Sequence, residues 1–308
     1  MASRIYIAVS SFARQAPEPL NILKQSGLRV DINTTGRRLT KEEVTGNAKG
    51  YHGIIAGLEP YDAQVLEALP DLKCISRCGV GVDNIDLGAA DKKGIKIFTT
   101  PDVVVQPVVE LTLAMILNLL RKITQQDRSM RGHQWQRMIG SQLAGKTVGI
   151  IGLGRIGRKV AETLLLLGAR VVGYDVHPDR IWAEGCGVSL VDFDEVLSRC
   201  DILTLHLAAK AGDHFVLSSR HFQAMKEGAL LINVARGAFV DEKALLEALQ
   251  QGHLSGAGLD VFQQEPYAGP LSGCPQVVLT PHVGSFTQES RVAMEMEAAQ
   301  NIIGFFNR

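Results

Sequence analysis

The sequence predicts an α/β fold: two doubly wound domains, each built on a parallel sheet. Three observations point there. Short β-branched runs alternate with helical stretches and Gly or Asp turns from end to end. The 308 residues exceed what one core usually holds, which favours two domains. A glycine-rich turn joins a strand to a helix at Gly152, a connection at home in such sheets.

The early runs are RIYIAV, GLRVDIN, GYHGIIAG, LKCISRCG and GIKIFTT, each followed by enough residues for a crossover helix, and they predict one small sheet. Around Thr99 to Gln106 the text changes to TTPDVVVQ, and Pro107 opens a long apolar helix beginning VVELTLAMILNLL. Proline in a helix's first turn sacrifices no hydrogen bond. A domain boundary is expected near Pro101. After Leu143 the alternation resumes as TVGIIG, RVVGYD, DILTLHL, GALLINV, GAGLD and QVVLTPH, which predicts a six-stranded second sheet. Between the two blocks lies RSMRGHQWQRMIGSQLAG, a polar stretch that reads either as a solvated linker or as an arm packing on a second subunit. Trp135 and Met138 favour the arm.

Composition narrows the partners. Lys plus Arg equals Asp plus Glu at 32 each, so no global field recruits nucleic acid or an anionic membrane. The longest apolar stretch, Leu111 to Leu120, is far short of the roughly 20 residues that span a bilayer. The first residues lack the apolar core of a signal peptide, so a cytoplasmic protein is expected. The five cysteines form no CxxC pair and no Cys/His set with zinc spacing, so neither a metal site nor a disulfide is expected. A small-molecule partner remains.

Gly152-Leu153-Gly154-Arg155-Ile156-Gly157 follows the strand Val148 to Ile151 and precedes a helix read as Arg158 to Leu167. The first glycine permits the tight turn, the second lets backbone approach a pyrophosphate, and the third permits close helix-to-strand packing. An anion then meets the free N–H groups of a helix N-terminus. About 20 residues on, the strand Arg170 to Tyr174 ends in Asp175, where an acid grips the adenosine ribose hydroxyls and repels a 2′-phosphate. This predicts a Rossmann-like domain that binds NAD in preference to NADP.

Three more segments end predicted strands in ionisable residues: NVARG to Gly237, GLDVFQQEP from Gly258, and TPHVG from Thr280. Reducing a 2-oxo acid needs a cation for its carboxylate, polarisation of its carbonyl and a proton for the forming alkoxide. Arg236 can supply the first two through its planar, permanently charged fork. His282 can supply the proton, and Glu265 can hold the imidazolium. The remaining histidines are read as structural or surface residues. A hydride transfer between nicotinamide and C2 of a small 2-hydroxy or 2-oxo acid is the chemistry these three fit.

The chain resembles the D-isomer-specific 2-hydroxyacid dehydrogenases, closest to their phosphoglycerate dehydrogenase branch. SRCGVGVDNIDLGAA, VVELTLAMIL, GKTVGIIGLGRIG, LLINVARGAFVDEKALLEAL, GAGLDVFQQEP and LTPHVGS carry the likeness, in the family's order over nearly the whole chain. The resemblance implies that Arg236, Glu265 and His282 are the catalytic Arg, Glu and His. It places Val80 and Gly81 in the loop whose N–H groups hold the substrate carboxylate, Asp260 on the nicotinamide carboxamide and Ala235 beside the nicotinamide ring. It also implies a coenzyme domain, residues 102–283, inserted into a smaller flavodoxin-like substrate domain, residues 1–101 with 284–308. A homodimer through the coenzyme domain is the family norm.

Two departures bear on the substrate. Ala56 stands where that branch has an Arg that helps bind a substrate phosphate, leaving Arg77 and Arg137 as candidate phosphate partners. The segment Ala208 to Phe215 lacks the family's Pro-Leu-Thr-Pro-like turn. D-3-phosphoglycerate is one candidate substrate. The alternatives are a glyoxylate or hydroxypyruvate reductase, and an NAD-sensing protein of the corepressor kind.

Overall fold

A computed structural model describes residues 2–208 and 215–307. Residues 209–214, most of the departing segment noted above, lie outside the described residues. The chain forms two compact units, Met1–Val104 with Ser285–Arg308, and Val105–Gly284. The second is thus inserted, in sequence, within the first.

The first unit holds strands β1 (Arg4–Ile7), β2 (Arg29–Ile32), β3 (Gly53–Ala56), β4 (Cys74–Arg77) and β5 (Lys96–Phe98). All its strand pairs are parallel and the order is β2-β1-β3-β4-β5, the flavodoxin-like order. Its helices are α1 (Glu18–Gln25), α2 (Lys41–Asn47), α3 (Ala63–Glu67) and α4 (Leu87–Lys92), with α12 (Gln288–Phe306) returning from the far end of the chain. Strand residues alternate between two cores. Tyr6 and Ile54 join Val65 and Leu66 on one face, while Ile5, Ile7 and Ile55 meet Leu23, Ala298 and Ile302 on the other. A parallel sheet must be covered on both sides, and α1 and α12 cover the second. At Gly53 a Cβ would lie 2.9 Å from both Ile5 and Phe306, so the glycine sets how closely α12 can seat.

The second unit opens with α5 (Val105–Arg121) and α6 (Ile123–Arg131). Pro107 sits in the first turn of α5, two residues after its start. The sheet contains β6 (Thr147–Ile151), β7 (Arg170–Tyr174), β8 (Ser189–Leu190), β9 (Ile202–Leu205), β10 (Ala229–Asn233), β11 (Leu254–Leu259) and β12 (Val277–Leu279). Its order is β12-β11-β10-β9-β6-β7-β8, all parallel. Counted from β6 this is 3-2-1-4-5-6 with a seventh strand added, the dinucleotide-fold order. Two cores flank it. Helices α7 (Arg155–Leu166) and α8 (Arg180–Cys186) contribute to one, and α9 (Phe193–Arg199), α10 (Ser219–Ala224) and α11 (Glu242–Gln250) to the other.

Among the described residues the sheet has seven strands where six were expected. The added β8 is two residues long and pairs only with Val172 and Gly173, too short to leave a period-two signal. The helix after the glycine turn also starts earlier than expected, at Arg155 instead of Arg158. Gly157 is inside the helix, tolerated there because its bare Cα packs on the carbonyl of Gly152. Among the described residues, no helix is long and apolar enough to cross a membrane.

Candidate functional site

The glycine turn occupies the topological switch point, between β6 and β9, where open parallel sheets bind ligands. Gly152 has φ +95°, and a Cβ there would lie 2.6 Å from the carbonyl oxygen of His206, just past β9. Only glycine fits. A Cβ at Gly154 would meet nothing within 4 Å, so space lies open before the N-terminus of α7, which Gly154 caps. Arg155 and Ile156 are the first two helical residues. The cradle suits a pyrophosphate, because the helix offers unspent N–H groups there.

Asp175 follows β7 and accepts from the backbone N–H of Leu153 (2.7 Å) and of His177 (2.8 Å). Its carboxylate is thereby tied to the glycine turn. Arg158, which sequence reasoning missed, donates to the Leu153 carbonyl (2.9 Å), pairs with Asp179 (2.9 Å) and lies over the Trp182 ring. The signal available was an arginine directly after the glycine motif.

His206 is also at this point. The residue is part-buried, its Nε2 is 3.0 Å from Thr204 Oγ1, and desolvation pushes its pKa from 6.5 down to about 3. The unfolded chain therefore takes up a proton at His206 between these values while the fold does not. That stability is complete above about pH 6.5 and is lost progressively as pH falls. His206→Asn is expected to reduce the loss of unfolding free energy between pH 7 and pH 5 by about 2 kcal/mol, measured by urea titration. Equal losses in both proteins would contradict it.

The loops after β10, β11 and β12 come together because these strands are neighbours. Asn233, at the end of β10, accepts from Ala235 N (3.1 Å) and donates to the Arg236 carbonyl (2.9 Å), folding the chain into a tight turn. Ala235 is buried within it. Arg236 is half-buried, and its Nη1 donates to the Ala235 carbonyl at 2.7 Å. Gly237 then abuts the Phe262 carbonyl so closely that no side chain would fit. The Arg236 turn is thus pressed against the loop that carries Glu265.

Glu265 accepts through Oε1 from Phe262 N (3.2 Å) and through Oε2 from His282 Nδ1 (2.8 Å). The two side chains remain about a third exposed, 38% for His282 and 36% for Glu265, so the ring is held but reachable. His282 has φ +54°, a left-handed conformation that costs a non-glycine residue about 1–2 kcal/mol. Asp260 holds this loop in place. Its carboxylate accepts from Thr280 Oγ1 (2.5 Å), Val283 N (2.8 Å) and Gly284 N (2.8 Å), and its carbonyl accepts from His282 N (2.9 Å). Burial raises the Asp260 carboxyl pKa, against the pull of those donors.

The remaining candidates belong to the first unit. Arg77 ends β4 in register with Ala56 of β3; Ala56 is fully buried, and Arg77 is only 8% exposed. The Arg77 guanidinium donates to the Cys78 carbonyl and lies under Gly79, whose φ is +138° and where a Cβ would lie 2.6 Å from Nη1. Gly79 and Thr100 exchange hydrogen bonds of 2.9 and 3.0 Å, which presents Val80 and Gly81 as a turn beyond the sheet edge. Val80 is 44% exposed. Arg137 is exposed on the second unit. Among the described residues no cluster of His, Cys, Asp or Glu could hold a metal ion, and all five cysteines are free.

Residues 113–284 match the family described as D-isomer specific 2-hydroxyacid dehydrogenase, NAD binding domain. The D-3-phosphoglycerate dehydrogenase of Archaeoglobus fulgidus is 37% identical over 291 residues, 93% of this chain and 55% of that protein. The glyoxylate reductase of Thermofilum pendens is 36% identical over 303 residues, 94% of this chain and 89% of that protein. A solved D-lactate dehydrogenase from Aquifex aeolicus, complexed with NAD and lactic acid, is similar with a TM-score of 0.87 at 28% identity, over 99% of this chain and 96% of that one. The chain spans about half the length of the curated relatives it matches first, 55% and 46%.

Proposed function

The chain belongs to the D-isomer specific 2-hydroxyacid dehydrogenase family, with NAD as its cofactor, and we propose that it interconverts a small 2-oxo acid and the corresponding 2-hydroxy acid. The observation that most supports this is the 2.8 Å Glu265–His282 pair, set on a loop that Asp260 holds and beside the Arg236 turn.

When bound, NAD(H) supplies or takes the hydride. In the reducing direction His282, its Nδ1 occupied by Glu265, gives a proton through Nε2 to the oxygen on C2. Glu265 is a positioning residue that fixes the ring. Arg236 grips the carboxylate and polarises the carbonyl. In the first unit, the resemblance proposes the N–H groups of Val80 and Gly81 as donors to a substrate carboxylate and Arg77 as a partner for a substrate anion. Gly152, Gly154, Gly157, Arg155 and Ile156 would hold the pyrophosphate, Asp175 the ribose, and Ala235 and Asp260 the nicotinamide end.

D-3-Phosphoglycerate, glyoxylate and hydroxypyruvate chemistry are the readings the relatives' names favour. The test is loss of NADH absorbance with glyoxylate, hydroxypyruvate and 3-phosphohydroxypyruvate, repeated with NADPH. Turnover with NADH on at least one acid is expected. Intact NADH binding with no turnover on any of them would sink the dehydrogenase reading and favour an NAD-sensing protein.

We further propose a homodimer through the NAD-binding unit. Residues 134–142 take no regular structure, yet Trp135 is 81% and Ile139 92% exposed, apolar surface that suits a partner subunit. Ile139→Asp with Trp135→Ala is expected to shift the mass measured by light scattering from dimer to monomer; an unshifted dimer would place the interface elsewhere. Free cysteines accord with a reducing, cytoplasmic setting, to be checked by cell fractionation.

A further inference from the structure

One cation beside the glycine turn has no part in the roles assigned above. Arg158 stands in the first turn of α7, where a positive charge opposes the helix dipole. Its ion pair with Asp179 does not account for it either, because the two side chains are 35% and 41% exposed and such surface pairs add little stability. Yet the guanidinium is held from three sides. Nε donates to the Leu153 carbonyl (2.9 Å), Nη1 donates to Asp179 Oδ2 (2.9 Å), and the face lies over the Trp182 ring, 5.0 Å from its centroid. Two of these anchors are themselves fixed. Asp179 caps α8 by accepting from Trp182 N (3.1 Å), and Trp182 Nε1 donates to Glu162 of α7 (3.3 Å).

What these bonds hold is the backbone between the first two glycines. The Leu153 N–H donates to Asp175 (2.7 Å), its carbonyl accepts from Arg158, and its buried side chain packs on Gly173 of β7, where a Cβ would lie 2.9 Å from Leu153 Cδ1. The Leu153 carbonyl and the Gly154 N–H belong to one planar trans peptide, so they point in opposite directions. By holding the carbonyl, Arg158 turns the Gly154 N–H away from itself and sets its direction. Among the described residues that N–H donates to no backbone carbonyl, and a Cβ at Gly154 would meet nothing within 4 Å. Without such a hold an exposed glycine peptide is free to turn, since glycine populates both signs of φ.

We infer that Arg158 is a positioning residue for the cofactor: it aims the Leu153–Gly154 peptide before binding, so that the Gly154 N–H meets a pyrophosphate oxygen. Through Asp179 it also ties that donor to the β7–α8 connection, which carries Asp175. The inference rests on the reading of the glycine turn as the pyrophosphate cradle. A donor fixed in advance need not be ordered during binding, so loss of Arg158 falls on cofactor affinity. Lysine is no substitute, because it has no planar fork to span a carbonyl and a carboxylate while lying flat on an indole.

The test is the NADH affinity of the full chain, read by fluorescence titration, with Tm recorded for each variant. Arg158→Gln is expected to weaken NADH binding about 10-fold, and Arg158→Lys to recover only a small part of that loss. Asp179→Asn separates aiming from charge, and decides the matter should Arg158→Gln melt below the assay temperature. It keeps an oxygen to cap α8 but loosens the guanidinium, so aiming predicts NADH binding weaker by about threefold. A guanidinium that acted only by attracting phosphates would instead bind NADH more tightly once its counter-charge was gone. KM for NADH should rise with Kd while kcat at saturating NADH stays near wild type, a split that general loss of folded protein does not produce. Tighter binding in Asp179→Asn, full rescue by lysine, or wild-type affinity in folded Arg158→Gln each overturns the inference. Gly154→Val checks the cradle itself, because the open space there admits the side chain when NADH is absent. Unaltered NADH binding in that variant overturns the cradle reading and this inference with it, whereas weaker binding there beside an unmoved Arg158→Gln overturns the inference alone.

Discussion

His282→Ala is expected to slow reduction of every accepted 2-oxo acid by about 10²- to 10⁴-fold, the usual contribution of a positioned general acid. NADH affinity should change little, because His282 is on the loop after β12 while the glycine turn follows β6. The split between turnover and binding is the diagnostic part. Loss of a ring that only packed would lower Tm and affect both. The geometry favours the catalytic role, since more than a third of the His282 side chain is exposed while its backbone is held in a left-handed conformation. Steady-state kinetics with fluorescence titration of NADH reads both quantities. Near-normal turnover in the folded variant would remove His282 from the mechanism.

Arg236→Gln should cost about 10²- to 10³-fold in kcat/KM, the scale on which one pre-aimed donor to a developing charge is valued. Lysine should restore only part of that. It returns the charge but not the planar fork, and it cannot reproduce the bond that Arg236 Nη1 makes to the Ala235 carbonyl, which fixes the plane of the guanidinium. Arg236→Lys and Arg236→Gln within threefold of wild type would mean that the substrate carboxylate is held elsewhere.

Both effects concern residues that were legible in the sequence, for a simple reason. Gly152, Asp175, Arg236, Glu265 and His282 each stand just beyond a strand, and the carboxyl edge of a parallel sheet is where ligands meet the chain. Spacing alone linked Asp175 to the glycine turn. Apolar periodicity likewise revealed five strands of the first unit, because parallel strands are covered on both faces and read as unbroken β-branched runs. Where the local signal was weak, the reading failed. β8 has two residues and no period, and the start of α7 was hidden by Gly157, which marks a turn in most contexts but here is a helical residue packed on a carbonyl.

Other features depended on partners distant in sequence. The resemblance implied a place for Asp260 at the nicotinamide; what its bonds to Thr280, Val283 and Gly284 show is that it shapes the loop of His282. Arg158 could be seen beside the glycine motif, but not its grip on the Leu153 carbonyl. Arg291 and Glu295 are an ordinary i,i+4 pair until the fold brings Ser11 and Ala13 against them.

By itself, then, the sequence determined the α/β class and the glycine-rich cradle, and it singled out Arg236, Glu265 and His282 as the residues to propose, because each follows a run whose local pattern is legible as a strand. Only the tertiary structure decided how those side chains are aimed and which carboxylates serve as braces. Hydrogen bonds across tens or hundreds of residues depend on strand order and helix seating, and neither is encoded in any local stretch of the chain.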